Sequence, residues 1–261
     1  MLLLRAFLRL TRMDSSILAS LAIFIPLFAR THAFTASFEK ALPLLFIYMC
    51  AFIANDLDDI EKDRINHPDR PLPAGYITPT FAGTVYFTCL GLALSCTWHY
   101  VTEGVAFLYY TLLALHISYG YLVESLPGLK APYVGAMNTL PVLIVAYQYP
   151  EETKLFVAAA AILFLVLGRE ICMDIKDRPG DSSSFMHRFS PARLAFLGFL
   201  LQMIGLFLLA SQIRRRGDFI ALLAMIFVLL VSAICWFTFS KRRISIIVMK
   251  LQWVVGLYFL T

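Results

Sequence analysis

The sequence predicts an all-α protein that crosses a membrane about nine times, built as two tandem four-helix halves with a ninth span appended. Three observations carry that prediction. Of 261 residues, 60% are hydrophobic and 15% charged, and the mean hydropathy is +0.76, well beyond what a water-soluble core of this length needs. The apolar residues come in runs able to cross a bilayer core, which takes about 20 helical residues. One acidic pattern also occurs twice, at the same place in each half.

The spans fall near residues 15–34, 41–55, 80–98, 104–122, 132–149, 154–170, 192–212, 218–240 and 244–260, which leaves no separate soluble domain between them. The opening MLLLRAFLRLTRMDSS carries Arg5, Arg9 and Arg12 and lacks a small-residue cleavage site. It reads as an amphipathic helix leading into the first span, not as a removable signal. After the second span, the run HPDRPLPAG contains three prolines and a glycine, so it ends the preceding helix in a stiff loop. Cys50, Cys89, Cys96, Cys172 and Cys235 lie in or beside spans without metal-ligand spacing and are read as packing residues.

The formal charge of +5 gives no pointer to nucleic acid, because in a membrane chain the placement of Lys and Arg outweighs their sum. With these spans, the N-terminus and the loops after spans two, four, six and eight share one side. That side carries most of the basic residues, from Arg5, Arg9 and Arg12 to the run Lys241, Arg242 and Arg243; the other carries Arg30, Lys40, Lys154 and the run Arg214, Arg215 and Arg216. The positive-inside rule therefore predicts a multi-pass membrane protein with its N-terminus and acidic loops in the cytoplasm.

Within ANDLDDIEKD, Asp56, Asp59 and Asp63 stand at i, i+3 and i+7, so a helix here projects three carboxylates within a narrow arc. GREICMDIKDRPGD repeats the spacing with Asp174, Asp177 and Asp181, directly after the sixth span as the first set follows the second. One acidic loop is more simply a solvated connector, but two of identical spacing on one side of the membrane are poorly explained that way. Carboxylates facing one cavity repel unless divalent cations hold them, and hard oxygen ligands with room for water and phosphate suit Mg²⁺. The expected guest is a Mg-bound phosphate ester. Arg64, Arg70, Lys130, Arg169 and Arg178 interleave with the acids and are candidates for phosphate oxygens, arginine through a bidentate fork. For each taken singly, positive-inside topology is an equally good explanation.

The pattern Asn55-Asp56-x-x-Asp59-x-x-x-Asp63, followed by NHPDRPLPAG, together with REICMDIKDRPGD, resembles the two aspartate motifs of the UbiA superfamily of intramembrane prenyltransferases. The similarity extends to the number of spans and the place of each motif, so it covers residues 1–261 as a single domain. It implies helices around a central cavity open sideways to membrane lipid, under cytoplasmic loops that hold an isoprenoid diphosphate through Mg²⁺. Carried over by position, Asn55, Asp56, Asp59 and Asp63 bind one metal and the diphosphate, and Asp174, Asp177 and Asp181 bind the other. Arg64, Arg70 and Lys130 contact the diphosphate directly. The implied reaction transfers a prenyl group to a small acceptor, aromatic or otherwise.

Where such proteins commonly carry Tyr-Ser and later Gly-Asn around this lysine, the chain has Glu124-Ser125 and Gly135-Ala136, so acceptor handling is expected to differ. Glu124 is a candidate base, although an ordinary loop carboxylate is the commoner role. Tyr48, Phe52, Tyr119, Tyr121 and Tyr147 are candidates for facing a carbocation, with packing or lipid contact the commoner use. His67, His116 and His187 have no partner at ligand spacing and are assigned no metal. Two alternatives stay open: a terpene cyclase that ionises the same donor without an acceptor, and a transporter, although the acids gather at one membrane face instead of stepping across the midplane.

The span assignment predicts that single cysteines at positions 67 and 189, in a chain freed of its native cysteines, react with a membrane-impermeant maleimide from the N-terminal side. Cysteines at 36 and 151 should react from the opposite side, and labelling of all four from one side would break the assignment.

Overall fold

A computed structural model describes residues 2–126, 128–178, 188–237 and 242–261. These stretches are helices joined by short turns. In the first of two compact units, α1 (Leu2–Leu10) leads into α2 (Met13–Thr31), and α3 (Phe34–Asp58) is extended by α4 (Ile60–Asn66). The unit is completed by α5 (Pro79–Tyr100) and α6 (Glu103–Ser125). The second unit contains α7 (Lys130–Gln148), α8 (Thr153–Asp177), α9 (Pro191–Ala210), α10 (Arg216–Phe237), α11 (Arg242–Gly256) and a 3₁₀ turn, Leu257–Leu260. The boundary after Ser125 falls between predicted spans four and five, where the tandem repeat divides the chain.

Among the described residues, seven helices are long and apolar enough to cross a membrane: α2, α3, α5, α6, α8, α9 and α10. The other two predicted spans coincide with α7 and α11. Asn138, Thr139, Pro141 and Gln148 dilute the hydropathy of α7. The 15 residues of α11 rise about 22 Å at 1.5 Å each, short of a hydrocarbon core of about 30 Å.

Both helices that follow an acidic motif start in the same way. Thr78 accepts a hydrogen bond from the Phe81 N–H at 3.2 Å ahead of Pro79, and Ser190 accepts one from Arg193 at 3.3 Å ahead of Pro191. A hydroxyl cap before a proline at the first helical position satisfies one free N–H and supplies a residue that needs none. This shared start is a second trace of the repeat.

In the first unit, Ala6 and Leu10 of α1 pack with Ile53 of α3 and with Leu72 and Ile77 of the proline-rich loop. The loop after the first motif is thus anchored by two buried aliphatic side chains, and Gly75 supplies its one left-handed residue (φ 72°). In the second unit, α8 and α9 cross backbone to backbone. A Cβ on Gly198 would stand 2.8 Å from the Gly168 carbonyl oxygen and 2.9 Å from Cys172 Sγ, and one on Gly168 would run into the Gly198 carbonyl oxygen. Small residues permit such close approach between membrane helices, where packing and not hydrophobicity drives association. The crossing fixes α8 one residue before Arg169 and six before Asp174. Gly198→Ala should lower stability by about 1–3 kcal/mol through overpacking, read as a fall in the apparent melting temperature in detergent; an unchanged melt would mean that α9 shifts freely.

Candidate active site

The first motif sits where a membrane helix runs out. The interruption falls on Asp59 (φ −97°, ψ 13°). The i to i+4 bonding nevertheless carries through the break, from Asp59 N–H to Asn55 and from Asp63 N–H to Asp59. The predicted common face is therefore kept only in part. Asp56 and Asp63 are buried, whereas Asp59 is half-buried and paired with Lys62 at 3.1 Å.

Two arginines hold the buried pair. Arg70, carried on the anchored loop, directs Nη1 to Asp56 Oδ1 at 3.3 Å and also to Asp63 Oδ2. Arg12 donates to the same Asp56 oxygen at 2.5 Å while its guanidinium lies 4.9 Å from the Phe52 ring centroid. Arg12 has left-handed backbone (φ 41°, ψ 53°), the conformation that separates α1 from α2, and strained residues of this kind cluster at functional sites. A salt bridge from Arg9 to Asp69 at 2.7 Å ties α1 to the same loop. Burial pushes the Asp63 carboxyl above the ordinary range, against the pull of Arg70.

The second unit repeats the arrangement with fewer charges. Asp174 is buried near the end of α8 and accepts from Lys130 Nζ, the first residue of α7, at 2.5 Å. Asp177 pairs with Lys176 at 2.7 Å, and Arg178 donates to the Phe189 carbonyl at 2.9 Å. One turn before Asp174, Glu170 is buried and held by Arg169. Asp181 and His187 lie outside the described residues, as does the Glu124 side chain.

Arg64 is exposed and pairs with Glu61 at 3.0 Å, not with the motif carboxylates. Tyr121 and Tyr147 are 77% and 58% exposed, as suits side chains that meet lipid. Tyr48 is buried edge-on to His116, whose Nδ1 lies 2.8 Å from the Leu112 carbonyl, so that nitrogen carries the proton. The five cysteines are all free, as expected of packing residues. Sequence reasoning left Arg12 to topology and Glu170 unremarked; a charge before a span and an acid within one were the signals available.

No group of three or more His, Cys, Asp or Glu side chains among the described residues is gathered closely enough to hold a metal ion. The donor set nonetheless suits Mg²⁺. Asp56 and Asp63 converge on a single arginine nitrogen, so their carboxylates already share one positive centre, and every donor is a hard oxygen.

Helices of membrane-spanning length, two of which end in buried, cation-held carboxylates, define an all-helical integral membrane protein. Residues 15–252 match the UbiA prenyltransferase family, and the chain belongs to it. It is similar to digeranylgeranylglyceryl phosphate synthases, at 27% identity to that of Sulfolobus acidocaldarius and 30% to that of Methanoculleus marisnigri. Each alignment covers 68% of this chain but only 65% and 64% of those proteins. The fold is shared with a UbiA homologue from Aeropyrum pernix (TM-score 0.77, 14% identity, 94% of this chain and 96% of that one). It is shared as well with a UbiA homologue from Archaeoglobus fulgidus bound to GPP and Mg²⁺ (TM-score 0.66, 16% identity, 98% and 99%).

Arg70→Met leaves Asp63 buried without its cation and should cost about 3 kcal/mol, the low end for breaking a buried pair, because Arg12 still serves Asp56. A carboxyl raised in the folded state contributes stability below its unfolded value and loses it as pH rises through the folded one. The deficit of Arg70→Met, in apparent melting temperature against wild type, should therefore be larger at pH 7.5 than at pH 5; an equal deficit at both would contradict this pairing.

Proposed function

We propose that the chain is a Mg²⁺-dependent intramembrane prenyltransferase that moves a prenyl group from an isoprenoid diphosphate to a small acceptor. The observation that carries this reading is the pair of buried acidic helix ends, each already neutralised by a basic side chain that a diphosphate would attract. Asp56, Asp59 and Asp63, with Asp174, Asp177 and Asp181, are the proposed metal-binding and catalytic carboxylates. Asn55, Arg64, Arg70 and Lys130 are the proposed diphosphate contacts. Arg70 and Lys130 have two tasks on this reading: they hold Asp56, Asp63 and Asp174 in the free protein, then turn to phosphate oxygens and release the carboxylates to metal.

Mg²⁺, when bound, would offset the charge that builds on the departing diphosphate. Phe52 and Tyr48 continue α3 inward from Asp56 at four-residue steps, which supports them as the aromatic side chains on the motif's own helix nearest to where the allylic cation would be left. The names of the similar synthases support an acceptor of the glyceryl phosphate type. The positive-inside bias supports placing the N-terminus and both motif loops in the cytoplasm, and the family match supports a single domain across the chain.

Purified protein supplied with Mg²⁺ and geranylgeranyl diphosphate, with and without geranylgeranylglyceryl phosphate, tests the proposal. Diphosphate release should need Mg²⁺, rise with the acceptor, and fall by about 10²-fold or more in Asp59→Ala and Asp177→Ala. Cyclic hydrocarbon formed without acceptor would sink the transfer reading in favour of a cyclase. Release indifferent to both substitutions would sink the assignment of the motifs.

A further inference from the structure

Glu170 lies inside the membrane helix α8, four residues before Asp174 and seven before Asp177. At about 100° per residue, those offsets put it within about 40° of Asp174 and about 20° of Asp177 on the same helix face, and about 6 Å nearer the middle of the span than Asp174. Its residue surface is 5% exposed. An ionisable residue at such a position is costly and is retained for a task or a partner.

Glu170 has a partner, but only for half of its carboxylate. Arg169 donates from Nε at 3.1 Å and from Nη2 at 2.5 Å, and both bonds land on Oε1. Among the described residues no donor is directed at Oε2. An arginine that served only to neutralise a carboxylate would bind both oxygens in parallel, the favoured fork geometry. Here it fixes the side chain by one oxygen and leaves the other as an acceptor.

We infer that Glu170 Oε2 is the general base that takes the proton from the hydroxyl of an alcohol acceptor. The inference rests on the prenyl-transfer reading. A diphosphate held at the aspartates would direct its prenyl carbon C1 toward the membrane side of them, the side on which Glu170 lies one helical turn from Asp174. The C1–O bond breaks and its electron pair leaves with diphosphate. A lone pair of the acceptor hydroxyl forms the new C–O bond to C1, and the hydroxyl proton passes to Oε2. The motif aspartates would not compete for this role, because theirs are the oxygens that would hold Mg²⁺.

The test uses the full-length protein with Mg²⁺, geranylgeranyl diphosphate and geranylgeranylglyceryl phosphate, alongside the unreactive thiolo analogue of the donor for binding. Glu170→Gln should lower kcat for ether formation by about 10²–10⁴-fold, as for loss of a general base, while the analogue's Kd stays within about twofold. Formate should restore part of the turnover of Glu170→Ala, which a purely structural carboxylate would not allow. Ether formation by Glu170→Gln at the wild-type rate, or loss of analogue binding in step with kcat, overturns the inference. A wild-type protein that binds the analogue yet makes no ether removes the alcohol acceptor; one that does not bind it at all removes the prenyl-transfer reading beneath it.

Discussion

A carboxylate buried at the end of a membrane helix has to be neutralised, and the structure around both motifs is arranged to do so. Taking an ion out of water costs several kcal/mol even after relaxation, so an unpaired aspartate here would either protonate or unfold its surroundings. Asp56 recruits Arg12 from the segment before the first span and Arg70 from the loop beyond the motif; Asp174 recruits Lys130 from the start of the preceding helix. These pairings organise each unit. The α1 helix, its left-handed link at Arg12 and the loop anchored by Leu72 and Ile77 all serve to bring cations to Asp56.

Pairing that stabilises the free protein is also compatible with the proposed anionic ligand. On the proposed reading, a diphosphate with its metal brings both signs of charge, so phosphate oxygen would meet the basic side chain and metal the aspartate that it releases. A tight ion pair at rest is thus compatible with exchange on binding, because the desolvation is already met. The glycine crossing of α8 on α9 gives the second motif a rigid base, and rigidity at this point limits how far Asp174 and Glu170 can drift from a productive geometry.

Much of this was legible in the sequence, and the reasons differ by level. Long apolar runs have one stable outcome in lipid, since backbone groups must bond within their own helix, so the helices and their order followed from composition. The two aspartate triads were legible because their spacing repeats. Their partners were not: Arg12 is separated from Asp56 by 44 residues, and nothing local distinguishes it from a topogenic arginine. Arg64, adjacent to the motif, pairs with Glu61 at the surface in the free protein, which residue type and spacing did not reveal. The break at Asp59 was hidden as well, because a helix interrupted at one residue while keeping its hydrogen-bond order leaves no signature in residue type.

On the proposed reading, each aspartate triad holds its own metal with diphosphate. Electron paramagnetic resonance of Mn²⁺, substituted for Mg²⁺ and titrated against the full-length protein with the thiolo donor analogue, measures this most directly. The expected result is one tightly bound ion per triad that appears only with the analogue, one being lost in Asp59→Ala and the other in Asp177→Ala. Binding of Mn²⁺ that ignores the analogue, or that survives both substitutions together, would contradict the assignment.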